Sequence, residues 1–301
     1  STTASGASST VMGYESVASG LRSTAMGFRA YASGDYSTAM GEGTEASDYH
    51  STAMGRITTA SGMNSTAMGY NTTASGNDST AMGYNTTAMG YNTTAMGKNT
   101  TASGDYSTAM GFYTMASGDY STAMGNGTTA SGSRSTAMGS GTVASGNYST
   151  AVGRITTASG INSTAMGYYT EASGNYSTSI GVLTKASDKS SLVMGQYNLA
   201  GSTVTSSATE FSLDNTAFVI GNGTDSDNRS DALVVKFNGE TTLGGNLHVN
   251  SDARLKSNIV SLGSTLAKLL QIDGKSYTMK KDESEKQKIG LLAQDIEKVF
   301  P

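Results

Sequence analysis

The stretch Tyr70–Gly83, YNTTASGNDSTAMG, decides the fold. It holds two seven-residue halves, each closing on glycine, that differ chiefly in the residue before it: Ser75 in one half, Met82 in the other. Read outward, glycine recurs every seventh residue from Gly6 to Gly195, at 26 of 28 positions. The exceptions are Asp48 and Asp188, a residue type that accepts turn conformations. Because Ser and Met alternate before the glycine, the true unit is 14 residues; Met89 breaks the alternation once, and the phase resumes. Such a repeat has to be recognised before any other feature is read.

A seven-residue period raises the coiled coil, and the residues exclude it. Glycine in every heptad costs about 1 kcal/mol each in a helix, and Ser and Thr add to that. No leucine seam is present. Collagen needs glycine at every third position. The period that remains is that of a β-solenoid: one coil of two short strands and two turns, stacked at about 4.8 Å. Fourteen coils make a rod roughly 65 Å long.

Alternation along a strand assigns the faces. Ala and the Ser or Thr two residues earlier point inward, into a space thin enough to admit only small groups. Thr and Met point outward on one sheet. On the other sheet, the residue before Ala varies (Val17, Tyr31, Glu45, Met115, Val143, Glu171, Lys185), as a solvent face does. The column Met26, Met40, Met54, Met68, Met82, Met110, Met124, Met138 and Met166 is nearly invariant. A single rod has nothing to bury it against, so the column predicts association along the whole length.

Composition agrees with a repetitive rod. The 301 residues include 38 Gly, one Pro, no Cys and no Trp, and only 14% are charged. A globule of this size would need more large apolar residues. The net charge of −4 has no basic block, which argues against a nucleic-acid partner. Without cysteine there are no disulfides and no thiolate chemistry. No apolar run approaches the ~18 residues of a membrane span, so no membrane insertion is expected in this chain. No cofactor and no metal site are read. No leader is visible, and a first residue of Ser fits a processed or truncated N-terminus.

The halves STAMG and TTASG stand where the head repeats of trimeric autotransporter adhesins carry SVAIG-like and AxAxG-like halves, and residues 1–200 resemble those repeats. The resemblance implies a left-handed parallel β-roll, a homotrimer, and a Met face turned toward the threefold axis. Met for Ile and Thr for Val are departures that soften the core and keep the pattern. The expected fold is therefore all-β: a homotrimeric β-roll of 14-residue coils (1–200), a β-rich connector (201–250) and a small α+β C-terminal domain (251–301).

The turns are rich in aromatic and amide residues. Tyr70, Tyr84, Tyr91, Tyr113 and Tyr168 are candidates for binding a glycan or a protein on a host or environmental surface. The competing reading is that stacked tyrosines cover the rod's edges. The Thr columns raise ice binding, but the variable Glu, Tyr and Lys spoil the regular face it would need.

Beyond Gly195 the period is read as ending. Strands are expected at Ala217–Ile220 and Ala232–Phe237, with a hairpin turn at Asn238-Gly239. This segment resembles connectors of bacterial and phage surface fibres. Asp225, Asp227 and Asn228 imitate a calcium loop but lack its later Glu, so a solvated loop is expected. In the C-terminal part the expectations are a helix at Ser264–Ile272, a strand at Lys275–Met279, a buried strand at Ile289–Ala293 and a helix at Gln294–Phe300.

SDARLK, Ser251–Lys256, followed by IGLLAQDIEKVFP resembles the intramolecular chaperone domain of phage endosialidase tailspikes, cut short here at Pro301. That resemblance implies trimerisation, then self-cleavage between Asn250 and Ser251. Ser251 would be the nucleophile and Lys256 its base, with Asp252 and Arg254 in supporting roles. A lysine can serve as base once burial lowers its pKa. The function expected is a homotrimeric fibre, borne on a virion, a phage-like particle or a bacterial surface, that attaches outside the cell. No multi-turnover activity is expected. The alternatives are a structural spacer with its binding tip elsewhere, and a polysaccharide-degrading tailspike.

Overall fold

The computed structural model describes residues 2–199, 208–246, 257–261, 265–278 and 287–300. Contacts divide the chain into two units, Ser1–Asn246 and Leu247–Pro301.

The first unit is a parallel β-solenoid with 14-residue coils. Strands that run through the Met-half glycine are five residues long, as in Thr80–Tyr84 and Thr94–Lys98. Those of the Ser half are two residues long, as in Thr87–Ala88 and Thr101–Ala102. Neighbouring coils pair like with like: Thr80 with Thr94, Ala81 with Ala95, Met82 with Met96, Gly83 with Gly97. Twice the two halves run together into one strand, Thr52–Ala60 and Thr66–Ala74.

The interior is as thin as the alternation predicts. The Ala columns from Ala18 to Ala172 are fully buried and form one continuous core. Beside them lie buried Ser and Thr, among them Thr72, Ser79, Thr86 and Thr100. The hydroxyls of these four make no hydrogen bond to another described residue. Methyl-sized side chains bury little apolar area each, so backbone pairing and stacking carry much of this shaft's order.

The two glycine columns serve different physical needs. Those of the Met half, such as Gly83 at φ +128°, occupy a backbone region open to glycine alone. Those of the Ser half have no such φ; at Gly62 or Gly104 a Cβ would overlap the carbonyl oxygen of the next coil. Both aspartate exceptions fall in the Ser half, where no glycine-only φ is required. The left-handed residue of each turn is the second after glycine, and it recurs every seventh residue from Ser8 to Tyr197. Asn fills it at Asn64, Asn71, Asn85, Asn92, Asn99 and Asn162, but so do Tyr106, Tyr120, Ile57 and Ile155, which pay strain for it.

The period does not end at Gly195. Strand Thr216–Asn222 adds one more parallel rung: Phe218 pairs with Leu192, Val219 with Val193, Ile220 with Met194 and Gly221 with Gly195. FVIGN thus repeats the pattern of TAMGY after a step of 26 residues instead of 14. The longer step hid this rung from a fixed-period reading. The sheet then turns antiparallel through Asp231–Lys236 and Thr241–Leu243. The turn at Asn238-Gly239 is present, with the Gly239 N–H donating to the Lys236 carbonyl at 3.0 Å.

In the second unit every element except the last helix is shorter than expected. The first helix is Leu266–Leu269 and the strand after it is Lys275–Tyr277, paired antiparallel with Lys288–Gly290. The last helix is Ala293–Val299. The strand expected to be buried at Ile289–Ala293 is Lys288–Gly290, which begins one residue earlier and ends three residues earlier, and Ile289 is 88% exposed. A run of apolar residues marked the strand, but no described part of this small unit covers it.

Candidate functional site

Three surfaces of the shaft carry the candidate residues. On the first, Thr and Met of each long strand face outward. Met26, Met40, Met54, Met68, Met82, Met110, Met124 and Met138 are half-buried, and Met166 is exposed. They stand one above another in register, each on the next coil. Met12, Met96, Val152, Ile180, Met194 and Ile220 stand in the same column. The register sets each methionine between those of the neighbouring coils, and each is left partly open within one chain.

The turns form the two edges. Tyr70, Tyr84, Tyr113 and Tyr168 follow Met-half glycines and share one edge; Tyr91 follows Gly90 of the Ser half and lies on the other. Tyr70 and Tyr84 stack face to face, centroids 5.0 Å apart. Arg56 and Lys98 sit over the rings at the two ends of this pair. On the second edge Tyr91 meets Tyr106, Tyr106 stacks on Tyr120, and Arg134 bridges Tyr120 to Tyr148. Ring faces are thus spent largely on neighbouring coils. Tyr168 meets Tyr169 edge-on and carries Arg154 over its ring. Tyr113, 59% exposed, meets Phe112 edge-on.

One group of edge residues escaped the sequence reading. Asp35, Asn77, Asp105, Asp119, Asn147 and Asn175 occupy the first turn position of the Ser half. Each accepts, on its Oδ1, the N–H of the equivalent residue one coil earlier, at 2.8–3.0 Å. Their spacing of 14 was the available signal. They are in the turns as cross-coil acceptors, since the left-handed position is the next residue along. Charged pairs follow the same step: Glu15 with Arg29, Glu42 with Arg56, Glu171 with Lys185. The Arg29 guanidinium holds the Glu15 carboxyl below its ordinary range.

In the loop after the added rung, Asp225 is an internal acceptor: its carboxylate takes the N–H groups of Asp227 and Asn228 and the Asn228 amide. These bonds hold its pKa down. Among the described residues no group of three His, Cys, Asp or Glu could hold a metal ion, and no helix is long and apolar enough to cross a membrane. Asn250, Ser251, Asp252, Arg254 and Lys256 lie outside the described residues.

The second unit presents many large apolar side chains to its surroundings: Val260, Leu266, Leu270 and Ile289 are each more than 60% exposed, and neither helix buries a residue. Such exposure is unusual for a unit meant to stand alone.

Comparison with known families agrees with this division. Residues 251–301 match the chaperone of endosialidase. No curated protein matches the chain. The YadA head domain repeat matches residues 4–30, 32–56, 60–86, 87–114, 116–142, 144–170 and 172–198. These blocks take in well over half of the 301 residues and follow the coils of the shaft, and the chain belongs to the YadA head-repeat family.

Proposed function

We propose that the chain is the shaft and folding clamp of a homotrimeric fibre that attaches to a host or environmental surface outside the cell. It would be carried on a virion, a phage-like particle or a bacterial surface. The observation that carries the trimer is the Met column. It runs in register along the shaft and stays partly open within one chain. Three copies turned inward about a common axis would cover it by closed symmetry. The apolar side chains of the second unit ask for the same partners. Replacing Met68, Met82 and Met96 together by Glu tests this: a single-subunit mass with the β spectrum retained supports the interface, and an unchanged assembly refutes it.

The C-terminal unit would align three chains whose coils are nearly alike, then be removed. In that step the Ser251 hydroxyl attacks the Asn250 carbonyl carbon while Lys256 takes its proton. The Asn250–Ser251 C–N bond breaks, the Ser251 nitrogen takes up a proton, and water hydrolyses the resulting ester. Intact mass of the native chain and of Ser251→Ala tests it. A native product ending at Asn250, with the variant whole, supports the dyad; an uncut native chain withdraws it.

The second reading, a spacer whose binding tip lies elsewhere, is favoured by the stacking of Tyr70 on Tyr84, which leaves ring edges outward more than ring faces. A variant with Tyr70, Tyr84, Tyr91, Tyr113 and Tyr168 all changed to Ser that still adhered would establish it.

A further inference from the structure

The end of the coil stack is built from side chains that stand in for backbone. In the coils before it, the residue ahead of each Ser-half Ala donates its N–H to the backbone carbonyl 13 residues on, as Glu171 does to Thr184 at 2.9 Å. At the last such strand, Lys185–Ala186, the Lys185 N–H goes to Asn198 Oδ1 at 2.8 Å. The Asn198 amide nitrogen in turn donates to the Lys185 carbonyl at 3.1 Å. One side-chain amide thus supplies the acceptor and the donor that a further strand would have offered. Asn198 sits where the interior Thr column would continue, 14 residues after Thr184, and it is 1% exposed. Its own carbonyl accepts from Arg229 Nη1 at 3.1 Å, and the same nitrogen reaches the Leu183 carbonyl at 3.0 Å.

Asp188 completes the group. It replaces a repeat glycine, is 2% exposed, and its Oδ2 accepts the N–H of Thr216, the first residue of the added rung, at 2.9 Å. The other exception behaves differently: Asp48 is exposed and, among the described residues, bonds within its own turn, to the Tyr49 N–H and to Ser51.

We propose that Asp188, Asn198 and Arg229 form a latch that ends the solenoid, satisfying the backbone groups a further coil would have satisfied and fixing the rung Thr216–Asn222 in a single register. Repeat stacks need distinct terminal units, and strands with near-identical neighbours have weakly specified pairing. The latch gives the last rung a partner set that no other coil can imitate. It acts within one chain, whatever the number of subunits.

Amide hydrogen exchange on the full chain tests it. In Asn198→Ala, the amides of Lys185, Val193 and Met194 are expected to exchange about tenfold faster or more, the factor that follows from orphaning one buried polar partner. Thr66–Ala102 should be unchanged. Asp188→Gly restores the repeat consensus, yet it is expected to speed exchange across Thr216–Asn222, whereas Asp48→Gly is expected to leave its own coil as slow as before. Equal or slower exchange in Asp188→Gly would overturn the latch. Should Asn198→Ala not fold, Asn198→Asp keeps the acceptor and loses the donor, and intermediate exchange is expected; native-like exchange there would overturn the role of the amide. Arg229→Met keeps the length of the stem and should also speed exchange at Lys185.

Discussion

The shaft and the C-terminal unit solve the problem of burial in opposite ways. Within the shaft each coil hydrogen-bonds to the next, and the Ala columns are sealed inside a single chain. The Thr/Met face, the variable face of the short strands and the edges are left to the surroundings. The C-terminal unit has few strands, no buried helix residue, and Ile289, Leu270 and Val260 open to solvent. A repetitive stack can be well ordered and still lack information about register, because any coil fits any other. A small unit can be poorly self-sufficient and still be informative, because its exposed side chains fit only their intended partners. In the proposed reading the shaft supplies order and the C-terminal unit supplies alignment.

The first way to break this contrast is to attack the order of the shaft. Gly83→Ala introduces a side chain at φ +128°, against the carbonyl of Gly97. A loss of about 3 kcal/mol or more is expected, read as a fall in thermal midpoint. A change under about 1 kcal/mol would mean that the stack deforms easily. Ile289→Asp strikes the other side. Ile289 is 88% exposed in one chain, so the β spectrum of the shaft should stay while the yield of assembled fibre falls severalfold. Unchanged assembly would make the side chain a bystander.

Two smaller effects sharpen the account of the shaft. Ile155, a β-branched residue held at φ +54°, is strained, and Ile155→Asn should stabilise by about 1 kcal/mol in denaturant titration. Thr86 is buried with its hydroxyl unpartnered among the described residues, so Thr86→Val should gain up to about 1 kcal/mol; a loss would reveal a hydrogen bond made in solution. The smallest effect is expected at Glu42→Lys. Its ion pair with Arg56 is solvent-exposed, and pairs of that kind contribute little in physiological salt.

Much of the shaft was legible in the residues. Glycine every seventh position, Ala two before it, and the Ser/Met alternation fixed coil length, interior and faces, because sterics allow few substitutes there. The added rung was not legible, since FVIGN shares one glycine with the repeat and arrives 12 residues late. The cross-coil role of Asp35, Asn77 and Asp105 was hidden because Asn and Asp are also ordinary turn residues. Tyr113 and Tyr91 stand together as binding candidates in the sequence, yet the glycines they follow put them on opposite edges. The chemistry proposed for Ser251 and Lys256 rests on SDARLK and on the match of residues 251–301.

The central claim is that the Met face is a subunit interface closed by three chains. Sedimentation equilibrium of the Ser251→Ala chain, kept whole by design, tests it most directly. The prediction is a single species of three times 30.7 kDa that persists at micromolar concentration, and that falls to 30.7 kDa when Met68, Met82 and Met96 are changed to Glu. A stable 30.7 kDa species from the chain with its methionines intact would contradict it.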